Sequence, residues 1–146
     1  MKQALRLSAL TLAAAVALLA SAGVAQAKQF TVYGVDHSGD KITSKTEKAR
    51  FSEKLIDGGD RVGNVKFHVK RTRGRVQYLR FRGLYRFHGG KIRVEGKMIR
   101  SYYLDTTKAQ LKIVRGKGRY HGITGHVSFH EKFGETKHTF RYKLPK

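Results

Sequence analysis

The sequence predicts an all-β fold, an eight-stranded antiparallel barrel. Three observations carry this: apolar and polar residues alternate with a period of two after residue 28, short glycine-bearing turns separate the alternating runs, and the single proline, Pro145, lies beyond the last run. Period-two alternation is the signature of a strand with one buried face. A ladder without proline keeps every backbone N–H available for pairing.

The residues before the first run read as an export leader. Lys2 and Arg6 form a short basic head, Leu7 to Leu19 is an apolar stretch short for a membrane span, and Ala25-Gln26-Ala27 has the small residues of a cleavage site. This predicts a cleavable signal peptide over 1–27 and a barrel domain over 28–146, exported to the extracellular space, periplasm or cell wall. No membrane span is expected after cleavage. Without cysteine there is no disulfide framework, so the domain has to be held by burial. The roughly 119 remaining residues suffice for one core.

The elements follow in order. Residues 29–36 carry Phe30 and Val32 two apart, and 48–57 carry Ala49, Phe51 and Leu55 in one phase before Gly58-Gly59-Asp60. Residues 62–72 alternate Val65, Phe67 and Val69 with Lys66, His68 and Lys70; Arg73-Gly74-Arg75 ends the run. Residues 76–88 alternate Leu79, Phe81, Tyr85 and Phe87 with arginines, up to His88-Gly89-Gly90. Ile92, Val94 and Met98 mark 91–100, and Leu111 and Ile113 mark 107–115. After a corner bearing Gly116, Gly118, Gly122 and Gly125, residues 123–133 carry Val127, Phe129 and Phe133; beyond Gly134-Glu135, residues 136–144 carry Phe140, Tyr142 and Leu144. Turns this short join neighbours in an up-and-down meander.

The glycine corner spaces its residues as GxGxxxG, with neither GxGxxG nor GK[ST], which argues against a nucleotide-binding turn. It reads Ile113-Val114-Arg115-Gly116-Lys117-Gly118-Arg119-Tyr120-His121-Gly122-Ile123-Thr124-Gly125, and Val32-Tyr33, Phe51-Ser52-Glu53-Lys54-Leu55, Asp60-Arg61-Val62-Gly63, Gly90-Lys91-Ile92 and Val94-Glu95-Gly96 precede it. In order and spacing these motifs resemble the allene oxide cyclase and dirigent proteins. The resemblance implies a calycin-like eight-stranded barrel whose lumen takes a small hydrophobic molecule, and a cofactor-independent isomerase or cyclase activity. It departs at the reacting residues. The cyclases' first-strand glutamate and asparagine stand here as Gly34 and Asp36, their later asparagine as Glu53 and their pocket cysteine as Val69; the dirigent aspartate and arginine align with Arg119 and Thr124. Plant relatives form trimers, whereas mutual repulsion of basic subunits favours a monomer, so the oligomeric state stays open.

Three acids fall on the inner face by phase: Glu53, Glu131 and Asp36. Desolvation raises a carboxyl pKa, so Glu53 and Glu131 are the candidate catalytic residues, expected to titrate above the ordinary glutamate value. The structural alternative pairs them with inner-phase arginines such as Arg71 or Arg115. Tyr33, Asp36, Phe67, Phe81, Tyr85 and Phe129 are the candidate ligand-binding residues. His126 and His130 share an outer face that His138 can join, but Lys132 and Lys137 beside them repel a metal ion; no metal or other cofactor is expected. There is no cysteine nucleophile and no GxSxG elbow.

Charge gives the competing reading. Of 31 Lys and Arg and 10 Asp and Glu, the leader takes Lys2 and Arg6 and no acid, leaving about +19. The outer phases of the strands are basic, with Arg80, Arg82 and Arg86 the candidate polyanion-binding residues near Tyr78 and the Lys70-Arg71-Thr72-Arg73 turn. Such a field suits an anionic cell-wall polymer, nucleic acid or acidic lipid.

Overall fold

The computed structural model describes residues 26–43, 45–72, 79–101 and 106–146, so nearly all of the leader, the Arg73–Tyr78 segment and residues 102–105 lie outside the described residues. Eight strands form: β1 (Lys28–Gly39), β2 (Lys48–Asp57), β3 (Asp60–Arg71), β4 (Leu79–Phe87), β5 (Gly90–Ser101), β6 (Thr106–Gly118), β7 (Thr124–Lys132) and β8 (Glu135–Lys143). Each pairs antiparallel with the next, and β8 pairs with β1, so the sheet closes into an all-β barrel without a free edge. The expected strands are all present; 48–57 coincides with β2, the other ends differ by up to a few residues, and the start of the expected 76–88 strand lies outside the described residues.

Alternation sorts the side chains as predicted through most of the barrel. Val65, Phe67, Phe81, Tyr85, Ile92, Val94, Leu111, Val127 and Phe140 have no accessible surface, while Lys66, His68, Arg80, Arg82 and Lys97 on the opposite phase are exposed. In the turn between β2 and β3, Gly58 and Gly59 both take positive φ, at 57° and 91°, a geometry glycine adopts without strain.

Three placements differ from the sequence expectation. β1 carries a bulge between the Val35–Lys54 and Ser38–Ser52 pairs, where Asp36 and His37 together face Glu53. Asp36 sits at φ 51°, a left-handed conformation that Asp tolerates better than most residues. The phase therefore flips, and Asp36 points outward to solvent while His37 turns towards the lumen. Phe133, expected in the core, takes φ 52° beside Gly134 at 82° in the β7–β8 turn and is 72% exposed. Turn geometry, not the strand period, sets its direction. His138, a candidate for the outer face, is instead fully buried, in phase with Thr136 and Phe140.

The two barrel ends differ. At the glycine-corner end, Phe30 stacks on Phe140 at 4.3 Å and meets Phe87 edge-on at 5.7 Å, with Tyr120 against Phe87 at 5.9 Å. These rings pack against one another across that end. At the other end β1, β3, β5 and β7 finish, and the loop after β1 is fastened by Arg71, whose Nε donates to the Thr46 carbonyl at 2.9 Å. Arg71 therefore staples a loop at the barrel mouth, and Arg115 is exposed.

The middle is filled by rings, and Gly83 makes room for them. A Cβ there would fall 2.5 Å from Phe67 Cε1 and 2.9 Å from Val94 Cγ2. Gly83→Ala is expected to lower stability by about 1–3 kcal/mol through overpacking, measured as a shift in the urea midpoint. An unchanged midpoint would mean that the core has slack here.

Candidate functional site

Glu53 is the centre of an ionic network inside the lumen. β2 alternation aims its carboxylate inward, where it is 2% exposed. His138 Nε2 donates to Oε2 at 2.9 Å, the Thr136 hydroxyl donates to the same oxygen at 3.2 Å, and His37 Nδ1 lies 2.9 Å from Oε1. On its other side His138 Nδ1 lies 2.9 Å from the Tyr85 hydroxyl. A carboxylate only accepts, so His138 carries a proton on Nε2; Nδ1 accepts from Tyr85 in the neutral ring and donates to the Tyr85 oxygen in the charged one. The result is one hydrogen-bonded chain, Tyr85–His138–Glu53–His37, running from the packed middle of the barrel to a histidine whose side chain is 42% exposed.

Local features make room for this chain. A Cβ on Gly34 would collide with the Glu53 carboxylate and the Thr136 hydroxyl, so glycine in β1 leaves the space the acid occupies. The bulge at Asp36 delivers His37, which stacks on Phe51 at 4.8 Å. His138 lies parallel to Phe67 at 6.1 Å and edge-on to Phe129 at 5.1 Å, so its orientation is fixed by packing as well as by its two bonds.

The electrostatics reverse the expectation for Glu53. Burial alone raises its pKa, but hydrogen bonds from His138 and His37, reinforced by their charges, outweigh burial and bring it down to about 2. Glu53 is thus an anion at neutral pH and orients two histidines; it is not a neutral acid awaiting a proton acceptor. His37 moves upward, chiefly through its bond to Glu53, against partial burial and with help from the charges of Glu53 and Glu131. Burial and the nearby Glu53 charge push Tyr85 well above the ordinary tyrosine value, which keeps its hydroxyl protonated.

The other sequence candidates separate into groups. Phe67, Phe81, Tyr85 and Phe129 come together in one cluster, with Phe67–Phe81 at 4.6 Å and Phe67–Phe129 at 5.6 Å. Glu131 is half-buried near the end where His37 emerges. Two expected ligand-lining residues face away from the lumen: Tyr33 is 48% exposed on the phase opposite Val32, and Asp36 lies outside the bulge, 2.7 Å from Lys54 Nζ. His37 and His138 are site residues absent from the sequence-based set. The even-number phase of β8 points His138 inward, whereas nothing local signals the bulge that turns His37. Among the described residues no His, Cys, Asp or Glu cluster fits a metal ion, and no helix is long and apolar enough to cross a membrane.

Outside, register stacks cations across strands. Lys48, Lys70, Arg80 and Lys97 stand directly opposite one another over β2 to β5. The next row runs Arg50, His68, Arg82 and Glu95, with Glu95 reaching Arg80 and Arg82 at 3.6 Å each. Arg86 is half-buried, opposite Lys91.

No protein-family model matches the chain, and no curated protein matches its sequence. Solved structures do match. A pyocyanin demethylase superposes with a TM-score of 0.62 at 14% identity, over 80% of this chain and 100% of its own. A nonspecific heme-binding cyclase that catalyses a cycloaddition in neoabyssomicin biosynthesis gives 0.57 at 15%, and a Diels-Alderase from Streptomyces koyangensis 0.58 at 16%, each over 99% of this chain and 84% of its own. The likeness is one of fold.

The two titrating groups bound a pH window. Because the Glu53 pKa is depressed from 4.5 to about 2, its contribution, on the order of 3 kcal/mol, is present above about pH 4.5 and lost as pH falls towards 2. The raised His37 pKa acts oppositely: its contribution is full below the ordinary 6.5 and fades as pH rises through the folded value. Urea unfolding across pH is expected to show both limbs, and Glu53→Gln to flatten them. An unchanged acid limb in Glu53→Gln would assign it to other carboxyls.

Proposed function

We propose that the barrel binds a small apolar molecule at the end of its lumen where His37 meets solvent and steers its isomerisation or cyclisation without a cofactor. The observation that carries this reading is the buried, ionised Glu53. Sealing a carboxylate among phenyl rings costs several kcal/mol unless it is fully bonded, and this one lies in a chain that links solvent to Tyr85. In this reading Glu53 orients, His37 exchanges protons with the bound molecule, and the Tyr85–His138 pair supplies a fixed dipole behind it. The ligand enters from that end in this reading, since aromatic rings pack across the other one. The allene oxide cyclase and dirigent resemblance, and cyclases among the structures of like fold, support the choice of chemistry. The loss of those families' first-strand acid at Gly34 is the same change that frees space for Glu53. The leader-like segment supports export as part of the proposal.

Titration of the isotope-labelled barrel with the neutral dye Nile red tests this reading. Saturable binding is expected, with His37 and Phe51 resonances shifting while the outer-facing Lys66, Arg82 and Arg93 stay fixed. Shifts confined to the outer strands, or no saturation, would count against a lumen site.

A second reading rests on the row Lys48–Lys70–Arg80–Lys97. Like charges directly opposite destabilise a sheet, and an anionic polymer along the row relieves that repulsion. Binding to duplex DNA is expected to fall linearly in a log–log salt plot, and Lys70→Glu with Arg80→Glu to lower the slope by about one for each phosphate no longer neutralised. A salt-independent affinity would exclude this reading.

A further inference from the structure

The β7–β8 hairpin ends in a feature that neither reading uses. Phe133 occupies φ 52° in the turn, where glycine or asparagine sits easily and a bulky residue is strained. Its ring is nevertheless 72% exposed, so the strain is not offset by burial. The Lys132 ammonium lies 5.4 Å from the ring centroid, a contact available to a phenyl group on many backbones. Around the tip, Tyr33, Lys132, Lys137 and Glu135 line a shallow hollow with Phe133. Tyr33 is itself 48% exposed and pairs across the ladder with Lys137. The aromatic tip therefore protrudes from a surface that carries cations on both sides.

We infer that this tip docks the barrel on an anionic lipid surface, with Phe133 entering the interface, Tyr33 at headgroup level, and Lys132 and Lys137 against the phosphates. The shape decides the partner. A protruding phenyl on a convex hairpin needs a partner that yields around it, and a bilayer interface does so whereas a rigid groove has to be matched to it. Amphipathic tyrosine and long lysines suit the water-facing side of such an interface. The charge favours acidic lipid: positive residues beside the membrane each add to attraction for an anionic leaflet. This electrostatic half rests on the surface reading above; the apolar half does not. The β7–β8 turn lies at the barrel end where β1 finishes and His37 emerges, so docking there turns that end towards the lipid from which an apolar molecule is drawn.

The experiment compares wild type with Phe133→Asn in the chain from Lys28 onward, which carries all eight strands and the closed core they bury. Sedimentation with vesicles of phosphatidylcholine, with and without phosphatidylglycerol, gives the affinity; a heparin column reports electrostatics alone. Asparagine accepts positive φ, so the melting midpoint is expected to hold or rise. Affinity for phosphatidylglycerol vesicles is expected to drop about tenfold or more, heparin retention to stay unchanged, and Nile red binding to persist. Equal vesicle binding by Phe133→Asn and wild type, no vesicle binding by wild type, or a parallel loss of heparin retention would each overturn the inference. Loss of Nile red binding alone would bear on the lumen reading.

Discussion

A buried carboxylate sets the terms for the interior of this barrel. An ionised glutamate among phenyl rings is tolerated only with its oxygens satisfied, and Glu53 obtains bonds from His138, His37 and Thr136. Those bonds tie β2 to β8 twice and to β1 once, across the seam that closes the barrel. Gly34 leaves the volume, the Asp36 bulge supplies His37, and ring packing against Phe67 and Phe129 holds His138. The sequence separation between Glu53 and His138 means that this network forms only once β1, β2 and β8 have come together.

The barrel itself is legible in the sequence because alternation is a local signal. Phe67, Phe81, Val94, Ile113, Phe129 and Phe140 lie in phase with their strands, and all are buried. The period misleads where backbone geometry departs from a regular strand. At Asp36 a bulge reverses the two faces, and at Phe133 a positive-φ turn throws an aromatic into solvent. Tyr33 simply follows its own phase outward. Glu53 is legible as an interior acid, but the direction of its pKa is not. That direction depends on histidines brought from 16 residues before it and 85 after it, and a carboxyl's burial without its partners gives the wrong sign.

Inside and outside answer to different physics, and the fold keeps them apart. Strand parity sends apolar rings and the Glu53 network inward, and it lines cations such as Lys48, Lys70, Arg80 and Lys97 side by side outward. The charged outer wall is therefore set apart from the core. The like-fold enzymes, at 14–16% identity, share the container, and the likeness stops at the fold.

The most direct test is a carbon-13 NMR titration of the Glu53 side-chain carboxyl in the folded protein. Its resonance is expected to stay at the ionised position from neutral pH downward and to move only as pH approaches about 2. A titration at or above the ordinary glutamate value of 4.5 would contradict it, and with it the role of Glu53 as the fixed anion that orients His37 and His138.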